Sequence, residues 1–133
     1  MLKKTIEYTD FNGTEIKEDF FFHMSVPEAT RFVAKYGGEN IEETINKLVK
    51  DSNLEKILQF LEEIILSSYG EKTLDGKAFY KDKERTKLFE YSNAYALLFE
   101  ELLTNDEKMT EFATAIGGNA KANNIQKFTP KNN

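Results

Sequence analysis

Cysteine and tryptophan are both missing from this chain of 133 residues, which also holds a single histidine and only two prolines. Without cysteine there is no disulfide framework and no thiolate metal site, and the redox compartment leaves no mark on the sequence. With one histidine there is no second imidazole to share a metal, so His23 reads as a polar residue at a strand end, not as a ligand. Long hydrophobic runs are scarce too. The most apolar window, residues 57–69, is too short to span a bilayer and is interrupted by Glu62-Glu63. Met1-Leu2-Lys3-Lys4 carries two lysines with no apolar stretch behind them, so no signal peptide is expected, and the default is a protein of the cytoplasm. Positive charge is in deficit. The 18 Lys and Arg against 23 Asp and Glu give a net charge of −5, which disfavours nonspecific binding of nucleic acid by the whole chain.

The usual catalytic constellations are missing as well. Gly37-Gly38 has no P-loop Lys-Ser pattern after it and reads as a helix stop. Glu62 and Glu63 are neighbours on a helix, so they do not face each other as an acid–base pair would. Asp75, Asp82 and Glu84 lack the alternating oxygen ligands and closing glutamate of an EF-hand. The sequence therefore points away from an enzyme, and no cofactor, metal or membrane contact is expected.

What the chain does have is phenylalanine, 11 in all, set among leucine and isoleucine. Its length suits one domain with a single core. Residues 5–24 read as a β-hairpin: Thr5-Ile6-Glu7-Tyr8 alternates, Asn12-Gly13 offers the positive-φ pair of a tight turn, and Ile16, Phe20 and Phe22 recur at even spacing. Phe21 then faces the other way and needs a cover of its own. Such a hairpin is marginal alone and must dock on helices. Ser25-Val26-Pro27-Glu28 is a capping box with proline in the first turn, followed by a helix with Val26, Ala29, Phe32, Val33 and Tyr36 on one face.

A second helix spans residues 40–50. A third, about 54–69, has a core stripe with Phe60 at its margin and Leu66 well off it. From Gly70 to Lys83 the chain is polar, with an Asp75-Gly76 turn signal and Phe79 as the anchor that returns the loop to the core. A fourth helical segment, 83–103, shows a possible break at Ser92-Asn93. Its stripe is Leu88, Tyr91, Tyr95, Leu98, Phe99 and Leu102, leaving Phe89 and Leu97 off it. A fifth helix holds Met109, Phe112, Ala113 and Ile116 and stops at Gly117-Gly118. The expected fold is α+β, mainly α: an N-terminal hairpin on a bundle of about five helices, within one globular domain at 1–118. Residues 119–133 carry Lys121, Lys127 and Lys131 with no acid and are expected to form a disordered basic tail. Removing these three positive charges from −5 leaves −8 on the rest.

The order Ser68-Tyr69-Gly70, Asp75-Gly76-Lys77, Phe79, Lys81, Phe89, Ala94-Tyr95, Leu98-Phe99, Glu101-Leu102, Glu111-Phe112 resembles that of tail assembly chaperones of long-tailed phages and prophages of Gram-positive hosts. Tyr8-Thr9-Asp10-Phe11-Asn12-Gly13 and the strand through Phe20 and Phe22 resemble the same family. One departure is at the end, where relatives often place a proline and this chain has Gly117-Gly118. The resemblance implies a non-catalytic protein that binds the long helical tape measure protein and keeps it soluble while the tail tube is built. It implies action in the host bacterial cytoplasm and absence from the mature virion. It further implies contact with the tail tube protein and with a longer frameshifted form of the same chain. Pro130-Lys131-Asn132 is encodable as a slippery A-AAA-AAC run.

A chaperone of amphipathic helices needs surplus apolar surface, which also favours homo-oligomers. The interface candidates are therefore the off-stripe residues Phe21, Phe60, Leu66, Phe89 and Leu97. Ser68, Tyr69, Gly70, Asp75, Gly76, Phe79, Lys81, Ala94, Tyr95, Phe99 and Phe112 are assigned to holding the fold. Two alternatives share the composition: a small acidic adaptor or regulator of another folded protein, and a structural tail component.

Overall fold

The computed structural model describes residues 1–117. Two strands, β1 (Leu2–Thr9) and β2 (Glu15–Phe22), open the chain and pair antiparallel from Leu2↔Phe22 to Thr9↔Glu15. The turn between them is longer than the Asn12-Gly13 pair predicts. Only Gly13 takes a positive φ, +84°. Asp10 organises the rest: its carboxylate accepts from the N–H groups of Asn12 and Thr14, both at 2.9 Å, and its C=O accepts from Gly13. An aspartate that bonds the backbone ahead of it replaces the second left-handed residue.

Alternation then sorts the hairpin. Ile6, Phe20 and Phe22 are buried on the inner face, with Leu2 and Tyr8 partly buried beside them. Helix α1 (Val26–Tyr36) starts as its capping box requires, with Ser25 Oγ accepting from Glu28 N–H and the Glu28 carboxylate accepting from Ser25 N–H. It ends on Gly37, left-handed at φ 79°. Helix α2 (Ile41–Asp51) is capped by Asn40 and closes on Ser52 at φ 53°; Asn53 immediately caps α3 (Leu54–Ser68).

The polar stretch after α3 is a second hairpin. Strands β3 (Tyr69–Lys72) and β4 (Phe79–Tyr80) extend the sheet to four strands in the order β1-β2-β3-β4. Helix α3 passes into β3 without a loop. The buried Ser68 hydroxyl donates back to the Ile64 C=O at 2.6 Å, and the Ser68 C=O accepts from His23 N–H at 2.8 Å, tying helix end to strand β2. The Asp75-Gly76 turn forms as expected: Asp75 accepts from Lys77 N–H and the Thr73 hydroxyl, and Gly76 sits at φ 73°.

The predicted fourth helix breaks at Tyr91 and Ser92 into α4 (Lys83–Glu90) and α5 (Asn93–Leu103), with Ser92 capping the second. Helix α6 (Asp106–Gly117) follows. The fold is thus α+β and mainly α, with six helices among the described residues and one more hairpin than the sequence suggested. One core joins the inner sheet face to the helices through Phe22, Phe60, Leu61, Ile64, Ile65, Leu98, Leu102, Phe112 and Ile116. Phe22 meets Phe112 edge-on at 5.2 Å, a geometry aromatic pairs favour. The expected basic tail and the Gly118 stop lie outside the described residues.

Candidate functional site

Where the four-stranded sheet meets α4, apolar side chains line a common opening, with Leu88 exposed and Phe20 and Phe89 buried beneath it. Tyr8 from β1, Phe20 from β2, Tyr69 from β3, and Leu88 and Phe89 from α4 line a groove of about 360 Å³, rimmed by Glu18, Arg85 and Ser92. Its floor is a stack of rings: Tyr69 lies parallel to Phe89 at 4.4 Å, and Phe20 packs on Phe89 at 5.1 Å and on Tyr8 at 6.2 Å. Leu88 stands above this floor and is 72 % exposed. Tyr91, one turn on, is 71 % exposed. Leu88, a large apolar side chain left in water above an aromatic floor, gains by being covered.

The break after α4 creates this surface. Read as one helix, residues 83–103 put Leu88 and Tyr91 on the core stripe and Phe89 off it. The interruption at Tyr91-Ser92 resets the phase, so Phe89 turns inward and Leu88 outward. A break at Ser92-Asn93 was visible in the sequence. What was missing was the rotation it imposes.

The rim is polar and ordered. The Tyr8 hydroxyl donates to Glu18 at 2.5 Å, and this bond, with burial and the charge of Glu18, pushes the phenol up to about 12. Arg85 pairs with Glu71 across the groove wall and lies 3.9 Å from Asp82; the Glu71 contact raises its pKa further. These partners hold the edge in place without closing over the floor.

The five residues singled out from the sequence are scattered. Phe60 is fully buried between Phe32 and Tyr36, at 5.4 and 5.2 Å, and Phe89 is 3 % exposed in the groove floor. Neither offers a free surface, because Phe60 packs against α1 and Phe89 is turned in by the helix break. Leu66 is half-buried against the core. Phe21 is half-buried on the outer sheet face, opposite Gly70. Leu97, 43 % exposed on α5, is the one of the five that is open to solvent. Leu88 and Tyr91 were missed.

Ala94 and Phe112 are core, and Tyr95 and Phe99 pack beside it. At Gly70 a Cβ would stand 2.6 Å from the Tyr80 carbonyl oxygen, so β4 approaches as only glycine permits. Phe79 covers this point and meets His23 edge-on at 5.5 Å. His23 is lowered from its ordinary pKa mainly by burial. Lys81 bonds the capping carboxylate of Glu28 at 2.8 Å. Glu63, far from converging with Glu62, accepts from Lys35 and the Tyr36 hydroxyl.

Among the described residues no cluster of His, Asp and Glu is placed to hold a metal, and no helix is long and apolar enough to cross a membrane. A family model described as phage tail assembly chaperone matches residues 1–124. No curated protein and no solved structure gives a significant match.

Proposed function

Since the chain belongs to the phage tail assembly chaperone family, we propose that it acts without catalysis, receiving apolar helical segments of the tape measure protein in the groove beside α4. The observation that carries this reading is the exposure of Leu88 above a floor of Phe20, Tyr69 and Phe89. An amphipathic helix presents apolar side chains every three to four residues, and a groove with an aromatic floor and a polar rim accepts such a stripe. Glu18 at the rim and the net charge of −5 suit client segments that are basic on the opposite face. Covering the client's stripe keeps it from pairing with other stripes, which holds it soluble in the host cytoplasm until the tail tube encloses it. The chaperone is then left behind and does not enter the virion. A longer frameshifted form would bring the same groove to the tail tube protein.

Co-expression tests this. The soluble yield of the tape measure protein rises with the parent chain, and the two copurify. With Leu88→Glu, which places a charge over the groove floor while the core stays untouched, that gain is lost. If the parent chain neither raises the yield nor copurifies, the client reading fails, and an adaptor of another folded protein or a structural tail component takes its place.

A further inference from the structure

We propose that β1 pairs with β1 of a second copy about a two-fold axis at Thr5, joining the two sheets into one. The proposal does not depend on what the groove binds. Its starting point is the direction of the backbone groups. Asp10 N–H donates across the hairpin to Thr14 C=O, and His23 N–H donates to Ser68 C=O on the β3 side. Because these directions alternate along a strand, even-numbered residues of β1 face β2, and Lys3, Thr5, Glu7 and Thr9 face away. Thr9 bears this out, since its C=O accepts from the side chain of Asn93 at 2.8 Å, from outside the sheet. Among the described residues the edge-facing backbone groups of Lys3, Thr5 and Glu7 have no backbone partner. Three successive outward positions left unpaired on an edge strand make a long opening for a protein that must avoid uncontrolled pairing.

The side chains select one partner and one register. Antiparallel self-pairing centred on Thr5 sets Lys3 opposite Glu7 of the second copy, twice, with Thr5 on Thr5 at the axis. Opposite charges and paired threonines both stabilise facing positions. On the inner face the same register sets Leu2, partly buried, against Tyr8, also partly buried. Lys4 then faces Ile6, with its charge already held by Glu101 at 3.1 Å. A shift by two residues one way puts Lys4 on Lys4. A shift the other way sets Glu7 against Thr5 and brings Lys3 opposite Thr9, whose C=O Asn93 already occupies. Lys3 therefore fixes the register and does not simply block the edge.

Helix α5 completes the surface. Asn93, Leu97 and Glu101 form one row at i, i+4 spacing, its ends tied to Thr9 and Lys4 of β1. Leu97 lies between those ties, 43 % exposed beside the edge. Its exposure is accounted for if a second copy covers it.

Sedimentation velocity on the full chain tests the pairing, with circular dichroism confirming that each variant is folded. The parent chain is expected to be a closed dimer at micromolar concentrations. Lys3→Glu and Glu7→Lys each place like charges opposite each other twice, raising the dimer dissociation constant about tenfold to a hundredfold. An equimolar mixture of the two variants regains the dimer, because each now complements the other. Thr5→Pro removes an outward N–H and the Thr5 hydroxyl's bond to Asp19 but no backbone bond between β1 and β2, so the hairpin persists and the dimer is lost. A parent chain that is monomeric, or that forms an open-ended polymer, overturns the proposal. So does a dimer unchanged by both charge reversals. Should Thr5→Pro unfold, the mixing experiment decides: recovery supports the pairing, and its absence overturns it.

Discussion

Gly70→Ala adds one methyl group at the narrowest point of the fold. The backbone there needs no left-handed conformation, so the whole cost comes from space. The new Cβ would stand 2.6 Å from the Tyr80 carbonyl oxygen and 2.7 Å from Cε2 of Phe79. The ring can turn aside, but the carbonyl belongs to β4 and moves only if the hairpin moves. Overpacking of this kind costs about 1–3 kcal/mol. Replacing glycine also restricts the unfolded chain, which returns roughly 0.4–1 kcal/mol. The net expectation is a loss of about 1–2 kcal/mol, seen as a lower urea midpoint at unchanged slope. Because the displaced element is β4, amide exchange should accelerate first across residues 69–80, ahead of α3 and α5. A variant as stable as the parent, or one whose exchange rises uniformly, would refute the close-approach argument.

Further outcomes follow from the same contacts. Phe60→Ala should cost about 3–5 kcal/mol, since the ring is fully buried between Phe32 and Tyr36; chemical denaturation reads it directly, and a cost below about 1 kcal/mol would return Phe60 to the surface. The carboxyls of Glu28, Glu63 and Glu101 are pushed up by burial but brought down further by their partners: Lys81 and Ser25, Lys35 and Tyr36, and Lys4 and Lys108. With folded pKa values below the ordinary 4.5, their contribution is complete above that pH and is lost as pH falls through the lowered values. Urea midpoints recorded across the acid range should fall there, and less steeply in high salt. Glu18→Gln should bring the Tyr8 hydroxyl down from about 12, measurable by NMR of labelled tyrosine.

The first hairpin and the first helix were legible because local signals mark them: the alternation through Phe20 and Phe22, the Ser25–Glu28 box, and the helical spacing of Ala29, Phe32 and Val33. The second hairpin was not. Tyr69-Gly70-Glu71-Lys72 has little β character of its own, and its pairing comes from β2 on one side and the close approach of Phe79 and Tyr80 on the other. The groove was missed for a related reason. Exposure of Leu88 and burial of Phe89 depend on how far a two-residue break rotates one helix relative to the next, and no periodicity within α4 records it. Leu97 was found because it lies well off the stripe of Tyr95, Leu98, Phe99 and Leu102, all of them within α5, so the break does not shift it relative to them.

Photo-crosslinking tests the central claim most directly. A photoreactive amino acid placed at Leu88 is compared with one at Leu74, which is even more exposed but sits on the β3–β4 turn away from the groove. During co-expression with the tape measure protein, Leu88 is predicted to capture the client and Leu74 to capture little. Equal capture from both positions, or capture from Leu74 alone, would contradict the groove as the client site.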